Sequence, residues 1–214
     1  MTKIFLITTA ALFASIVTAT AQDIAPENTD QPENQTTVPA NVFKASIGPA
    51  LIYSKVYLPS RVYKRHGCMD FDLTYQHVWR KGWGFGVNYA LNVANYHREF
   101  LITQNYIGAS AVYAVSAKRW RVDMSWGVGY SQYAERIKYY DYHYRVRKAK
   151  GTEAGWGMYA HLGAEYMITP HFGIGAQITS LSSFYPRPEG VEIPEDEPYG
   201  FKRANFLIGP RVYF

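Results

Sequence analysis

The chain has one cysteine, Cys68, so no disulfide can form within it and a disulfide-stapled secreted scaffold is excluded. After its first 21 residues it has no long apolar run, so no helix is expected to cross a membrane. It has no G-x-S-x-G nucleophile turn. None of these absences bears on membrane strands, whose alternating pattern stays invisible to hydropathy.

At the N-terminus, Lys3 precedes an apolar run from Ile4 to about Val17, followed by Ala19-Thr20-Ala21. A charged start, a short apolar stretch and a small-x-small site predict a secretory signal peptide over residues 1–21. Its removal takes away Lys3 and no acid, so the formal charge of +5 becomes +4. Residues 22–41 follow with Pro26, Pro32 and Pro39 and the acids Asp23, Glu27, Asp30 and Glu33, but no Lys or Arg. Such a stretch cannot bury enough apolar surface to order itself, and a disordered acidic leader is expected.

From Val42 the pattern changes to period-two alternation. Phe43, Ala45, Ile47, Pro49, Leu51 and Tyr53 alternate with Lys44, Ser46, Gly48 and Ala50. Similar sets begin at Met69, Trp83, Ile107, Trp120, Trp156 and Phe172, and an eighth runs from Ala204 to Phe214. Alternation of this length means strands with one apolar and one polar or small face. Each apolar face carries enough side chains for a tilted strand of about 9–11 residues to cross a bilayer. In a soluble β-sandwich or lipocalin-like barrel the second face would be rich in Lys and Glu. Here Gly, Ala and Ser dominate it, which suits a crowded interior.

The expected connections also alternate. Arg80-Lys81-Gly82, Lys118-Arg119 and Thr169-Pro170-His171 are short, while 54–67, 95–104, 131–152 and 181–202 are long. Short turns at one end and long loops at the other match outer-membrane barrels, with the short turns periplasmic. Trp79, Trp83, Trp120, Phe172 and Phe214 all fall at the short-turn end on the apolar face, as an interfacial aromatic girdle would.

With its signal sequence, eight strands, T-P-H-F-G-I-G at 169–175 and terminal V-Y-F, the chain resembles the small outer-membrane barrels of the OmpA/OmpX type. It looks most like the porin-family outer membrane protein β-barrel domain, over residues 42–214. The expected fold is all-β, an eight-stranded antiparallel up-and-down transmembrane barrel. One departure is Val212, where many relatives carry an aromatic. The resemblance implies insertion by the barrel-insertion machinery and placement in the outer membrane of a Gram-negative cell.

Polar-face positions put Lys44, Asp70, Asp72, Asn88, Arg121, Asp123, His161, Glu165, Asn205 and Arg211 towards the lumen. Eight strands leave an interior just wide enough for side chains to fill, so charges there must pair. Lys44, Asp123, Glu165 and Arg211 are the expected cluster, read as a structural plug of salt bridges. A gated ion path is the sharper alternative. His161 and Glu165 share a face, as a general acid and base would. The chain lacks the His-x-Ser-Asn motif of barrel deacylases acting on lipid A, and no catalysis is expected.

The long connections are the most individual segments. Residues 54–67 carry Lys55, Arg61, Lys64 and Arg65 without an acid, and residues 187–197 carry five acids against Arg187. Residues 131–150 combine Tyr139, Tyr140, Tyr142 and Tyr144 with Arg145 and Arg147, and these tyrosines could also extend the flanking strands as a hairpin. Tyr with Arg or Lys suits phosphate, sugar or anionic polymer. Lipopolysaccharide phosphate is the first expected contact, pairing between the basic and acidic loops the second, and an extracellular ligand the third. No nucleic-acid partner, cofactor or metal is expected, and a monomer is. The expected role is structural or surface interaction, with a narrow channel as the alternative.

Overall fold

The computed structural model describes residues 41–54, 56–58, 61–63, 66–96, 100–140, 146–187 and 199–214. The chain forms β1 (Asn41–Ile52), β2 (Val56–Leu58), β3 (Arg61–Tyr63), β4 (His66–Val78), β5 (Trp83–Tyr96), β6 (Phe100–Ala117), β7 (Trp120–Tyr140), β8 (Val146–Met167), β9 (Phe172–Phe184) and β10 (Gly200–Tyr213). Eight of these close an antiparallel barrel in the order β1-β10-β9-β8-β7-β6-β5-β4, and β2 with β3 makes a separate hairpin. The three short turns fall where expected. Gly82 takes the left-handed conformation that the turn into β5 needs (φ 83°), and Lys118 takes one without being glycine (φ 53°).

Two of the expected loops, 95–104 and 131–152, are largely strand, and the last, 181–202, is strand at its two ends. Phe100–Gln104 belongs to β6, residues 131–140 and 146–152 belong to β7 and β8, and β9 continues to Phe184. The first connection holds the β2–β3 hairpin. The physical reason is an inversion of polarity along the strands. Up to Tyr130 and Trp156, large apolar side chains point outward and polar ones inward. Beyond that level the outward positions become Gln132, Arg136, Lys150 and Thr152, while Ile52, Ile102, Tyr133 and Phe201 turn inward and are buried. The backbone ladder continues unbroken through the change.

The lower part exposes Ile47, Val128, Ile174, Ile178, Phe206 and Ile208, each more than half accessible, in one continuous band. A contiguous apolar surface of this kind belongs in a membrane. Aromatics edge it at both ends. Trp79, Trp83, Trp120, Phe172 and Phe214 are all exposed at the short-turn end, with Trp83 5.0 Å from Tyr113 and Trp120 5.1 Å from Tyr166 between ring centroids. At the other end sit Tyr130 and Trp156, which pair across β7 and β8, and Phe184, stacked 4.6 Å from Trp156. Ten residues of tilted strand between Trp120 and Tyr130 span about 24 Å, the height of an outer-membrane apolar band.

Following the register around the barrel from Lys44 passes Thr74, Asn88, Gly108, Gly129, Gly157, Ser183 and Phe201. The circuit returns to β1 beside residue 54, ten residues further along. That stagger fixes a strand tilt of roughly 40°. At the closing seam, Asn41 and Phe214 exchange two backbone hydrogen bonds, of 3.2 and 3.1 Å.

Candidate functional site: the polar lumen and its mouth

Near the short-turn end the inward positions of five strands meet in one buried charge network. Lys44 Nζ lies 2.7 Å from Asp123 Oδ1 and 2.5 Å from Glu165 Oε1. Arg211 Nε reaches Glu165 Oε1 at 3.3 Å, and Arg121 Nε lies 3.7 Å from Glu165 Oε2. Tyr213 Oη donates to Glu165 Oε2 at 3.0 Å, and Gln76 Nε2 donates to Asp123 Oδ2 at 2.8 Å. Lys44, Asp123, Glu165 and Arg211 thus come together, joined by Arg121.

His161 does not pair with Glu165. Its Nε2 sits 3.0 Å from Asp123 Oδ2, and its ring stacks on Tyr159. Glu165 is four residues along the strand, two inward positions nearer the turn, and its carboxylate is taken by Lys44, Arg211 and Tyr213. Tyr159 continues the stack to Tyr106, 5.8 Å away and nearly parallel. Gly157 makes room for the Tyr106 ring, since a Cβ there would sit 3.2 Å from it.

Asp70 and Asp72 lie apart from that network. Asp72 accepts from Thr74 Oγ1 at 2.8 Å and from Tyr159 Oη at 3.1 Å. Asp70 pairs with Arg203, whose Nε is 3.0 Å away, and accepts from Asn205. Asn88 links Thr74 and Ser110. Above them Gln104, Ser131, Ser183 and Tyr185 share a hydrogen-bonded knot that also takes the Arg203 guanidinium. Sequence reasoning missed Arg203, Tyr106, Tyr159 and Tyr213. Arg203 continues the odd-numbered face of Asn205, Gly209 and Arg211 one step further, so extending that alternation would have found it.

At the outer mouth Ile52, Ala94, Ile102, Tyr133, Tyr185 and Phe201 form a buried apolar cluster. Tyr133 makes edge contacts with Tyr185 (4.8 Å) and Phe201 (5.2 Å). Above the band, burial and then the nearby Glu153 hold the Glu135 carboxyl above its ordinary value. A carboxyl raised on folding favours the folded rim below its unfolded pKa and loses that contribution as pH rises through the folded value. Amide protection of the β7–β8 rim is therefore expected to be greater at pH 4 than at pH 7, as hydrogen exchange would measure.

Of the connection residues, Arg61 falls in β3, Tyr139 and Tyr140 in β7 and Arg147 in β8. Lys64, Arg65, Tyr142, Tyr144 and Arg145 lie outside the described residues, as do the expected signal peptide and most of the leader.

A closed barrel with a polar interior and an apolar, aromatic-edged exterior defines a transmembrane β-barrel protein. The profile of the outer membrane protein beta-barrel domain matches residues 9–209, and the chain belongs to that family. Among solved structures it is similar to the Neisserial surface protein A, at 14% identity and a TM-score of 0.55, covering 81% of this chain and 96% of that one. It also matches Ail, the attachment invasion locus protein of Yersinia pestis, at 14% identity and a TM-score of 0.48, over 83% and 100% of the two chains. The outer membrane protein OprG from Pseudomonas aeruginosa matches at 12% and 0.46, over 82% and 97%. No curated protein matches the chain in sequence.

Proposed function

We propose that the chain is a non-conducting, non-catalytic outer-membrane barrel, exported by a signal peptide over residues 1–21 and serving a structural or surface-interaction role. The observation that carries this is the filling of the lumen along its length. Lys44, Arg121, Arg203 and Arg211 are fully buried, and the apolar cluster stands over them at the mouth. Ionic packing below and a dewetted mouth above leave no continuous path for a hydrated ion. His161 is committed to Asp123 and 3% exposed, which supports the absence of acid–base catalysis.

A narrow channel is the second reading. Tyr106 Oη, Ser125 Oγ, His161 Nδ1 and Gln177 Nε2 are buried without a protein hydrogen-bond partner among the described residues, and such atoms are sites for internal water. Planar-bilayer recording separates the two. Silence at 100 mV over many insertions is expected, and steady unitary conductance would establish the channel instead.

The surface role falls to the strands above the band. Arg136 pairs across the ladder with Lys150 on the outward face, and both are exposed. Like charges directly opposite one another repel, and an anion between them relieves this. Lipopolysaccharide phosphate is the partner proposed there, and the 54–67 and 139–147 segments would extend the contact. An R136E/K150E variant is expected to co-purify with several-fold less lipopolysaccharide; unchanged lipid content would remove this contact from the reading.

A further inference from the structure

The chain has 11 prolines, and among the described residues only Pro49 and Pro210 lie inside barrel strands. A proline has no backbone N–H and is normally kept out of a paired strand. Because Asn41 exchanges both bonds with Phe214, the odd-numbered residues of β1 and the even-numbered residues of β10 direct their backbone groups at each other. Pro49 and Pro210 therefore both remove a donor from the same seam, the one between the first and last barrel strands.

The register carries the imprint of this. β1 and β10 pair at residues 42–44, 47 and 50–52 of β1, with gaps at 45–46 and 48–49. Those gaps are the positions whose pairing needs the missing N–H of Pro210, opposite Ala45, or of Pro49, opposite Phe206. The other seven barrel ladders run without interruption. Between the two defects, Ile47 and Ile208 form an isolated pair, and both side chains face the membrane.

One side chain spans the lower defect from inside. Arg211 Nη1 donates to Ala45 O at 3.3 Å, the carbonyl that Pro210 leaves without its ladder donor. The same nitrogen reaches Ser46 Oγ at 2.8 Å and Pro210 O at 3.0 Å. Nη2 donates to Gln177 Oε1 at 2.9 Å, while Nε is held by Glu165. The guanidinium thus ties β1 to β10 by a side chain where the backbone cannot.

We infer that the β1–β10 seam is a latched lateral opening: Pro49 and Pro210 make it the ladder that parts first, and Arg211 holds it shut from the lumen. When the Ile47–Ile208 pair breaks, the gap runs from Ala45 to Phe206 and joins the bilayer to the polar wall of Ser46, Gln177 and Arg211. The barrel opens sideways there, without any change along its axis.

Amide exchange measured by NMR in phosphatidylcholine nanodiscs tests this. The Ile47 and Ile208 amides are expected to exchange about tenfold faster than those of Leu73 and Tyr89, a mid-depth pair of the uninterrupted β4–β5 ladder. Pro49→Ala and Pro210→Ala, each restoring a donor, should bring the seam towards the β4–β5 rate without changing Leu73 or Tyr89. Equal protection at the two ladders in the unsubstituted protein would overturn the inference, whether or not the variants fold. So would a rate difference that both alanine variants, folded by heat-modifiable migration, leave unchanged.

Discussion

Replacing Glu165 with alanine is expected to cost about 3–5 kcal/mol of folding stability, the loss that follows when one partner of a buried ion network is removed. Glu165 is fully buried and faces Lys44, Arg121 and Arg211 at once, while Asp123 is the other carboxylate of the network. Its removal leaves three buried cations around one anion and deprives Tyr213 Oη of its acceptor. Glu165→Gln keeps the volume and an acceptor for Tyr213, so it should recover only the smaller, hydrogen-bonded part of the loss, about 1 kcal/mol. Urea unfolding in phosphatidylcholine vesicles, followed by tryptophan fluorescence, gives both values. A cost under about 1 kcal/mol for the alanine variant would mean that water or ions reach the network and screen it, contrary to a filled lumen. His161→Ala offers a comparison, since it removes a ring stacked on Tyr159 and leaves the Lys44–Asp123 pair in place.

The membrane-embedded half of the fold was legible in the sequence for a simple reason. Where lipid lies outside and polar packing inside, each strand alternates in one phase, and Trp120 through Tyr130 shows it without an exception. The same rule placed Lys44, Asp123, Glu165 and Arg211 together, because strands of known direction put those residues near one end. It failed where the surroundings change. Above Tyr130 the outside is water and the inside becomes a small core, so Tyr133 and Phe201 turn inward and Arg136 outward. A strand that inverts its polarity looks, by periodicity, like a strand that has ended. The 131–152 segment was accordingly expected as a loop, the extended hairpin that β7 and β8 form being only the alternative reading, and the apolar cluster at the mouth went unseen. Tyr159 and Tyr213 were hidden differently: each is aromatic on an inward face, and only the structure shows their hydroxyls turned to Asp72 and Glu165. The defective seam was written in the sequence as two prolines. That both face the same neighbour depends on the closing register, which periodicity within single strands does not supply.

Ile178→Arg separates a membrane wall from a wet one. Ile178 is 57% exposed on β9 and pairs with Leu162, midway between Tyr166 at one aromatic edge and Trp156 at the other. On a water-facing surface such a substitution changes stability by no more than about 0.5 kcal/mol. Facing hydrocarbon at the midplane it costs about 2–4 kcal/mol, because the guanidinium must be desolvated or must draw water and headgroups inward. Ala154→Arg serves as the matched control. It lies on the neighbouring β8, is also outward and exposed, but sits two residues beyond Trp156, where the outward face has turned polar. Its cost should stay near the interfacial range of about 0–1 kcal/mol. The difference between the two, measured by urea unfolding in the same vesicles, maps the upper edge of the bilayer onto the strands. If both substitutions cost the same, the polarity inversion at Tyr130 and Trp156 does not mark the membrane boundary. The strands above it would then be embedded as well, and the apolar cluster at the mouth would lie within the bilayer.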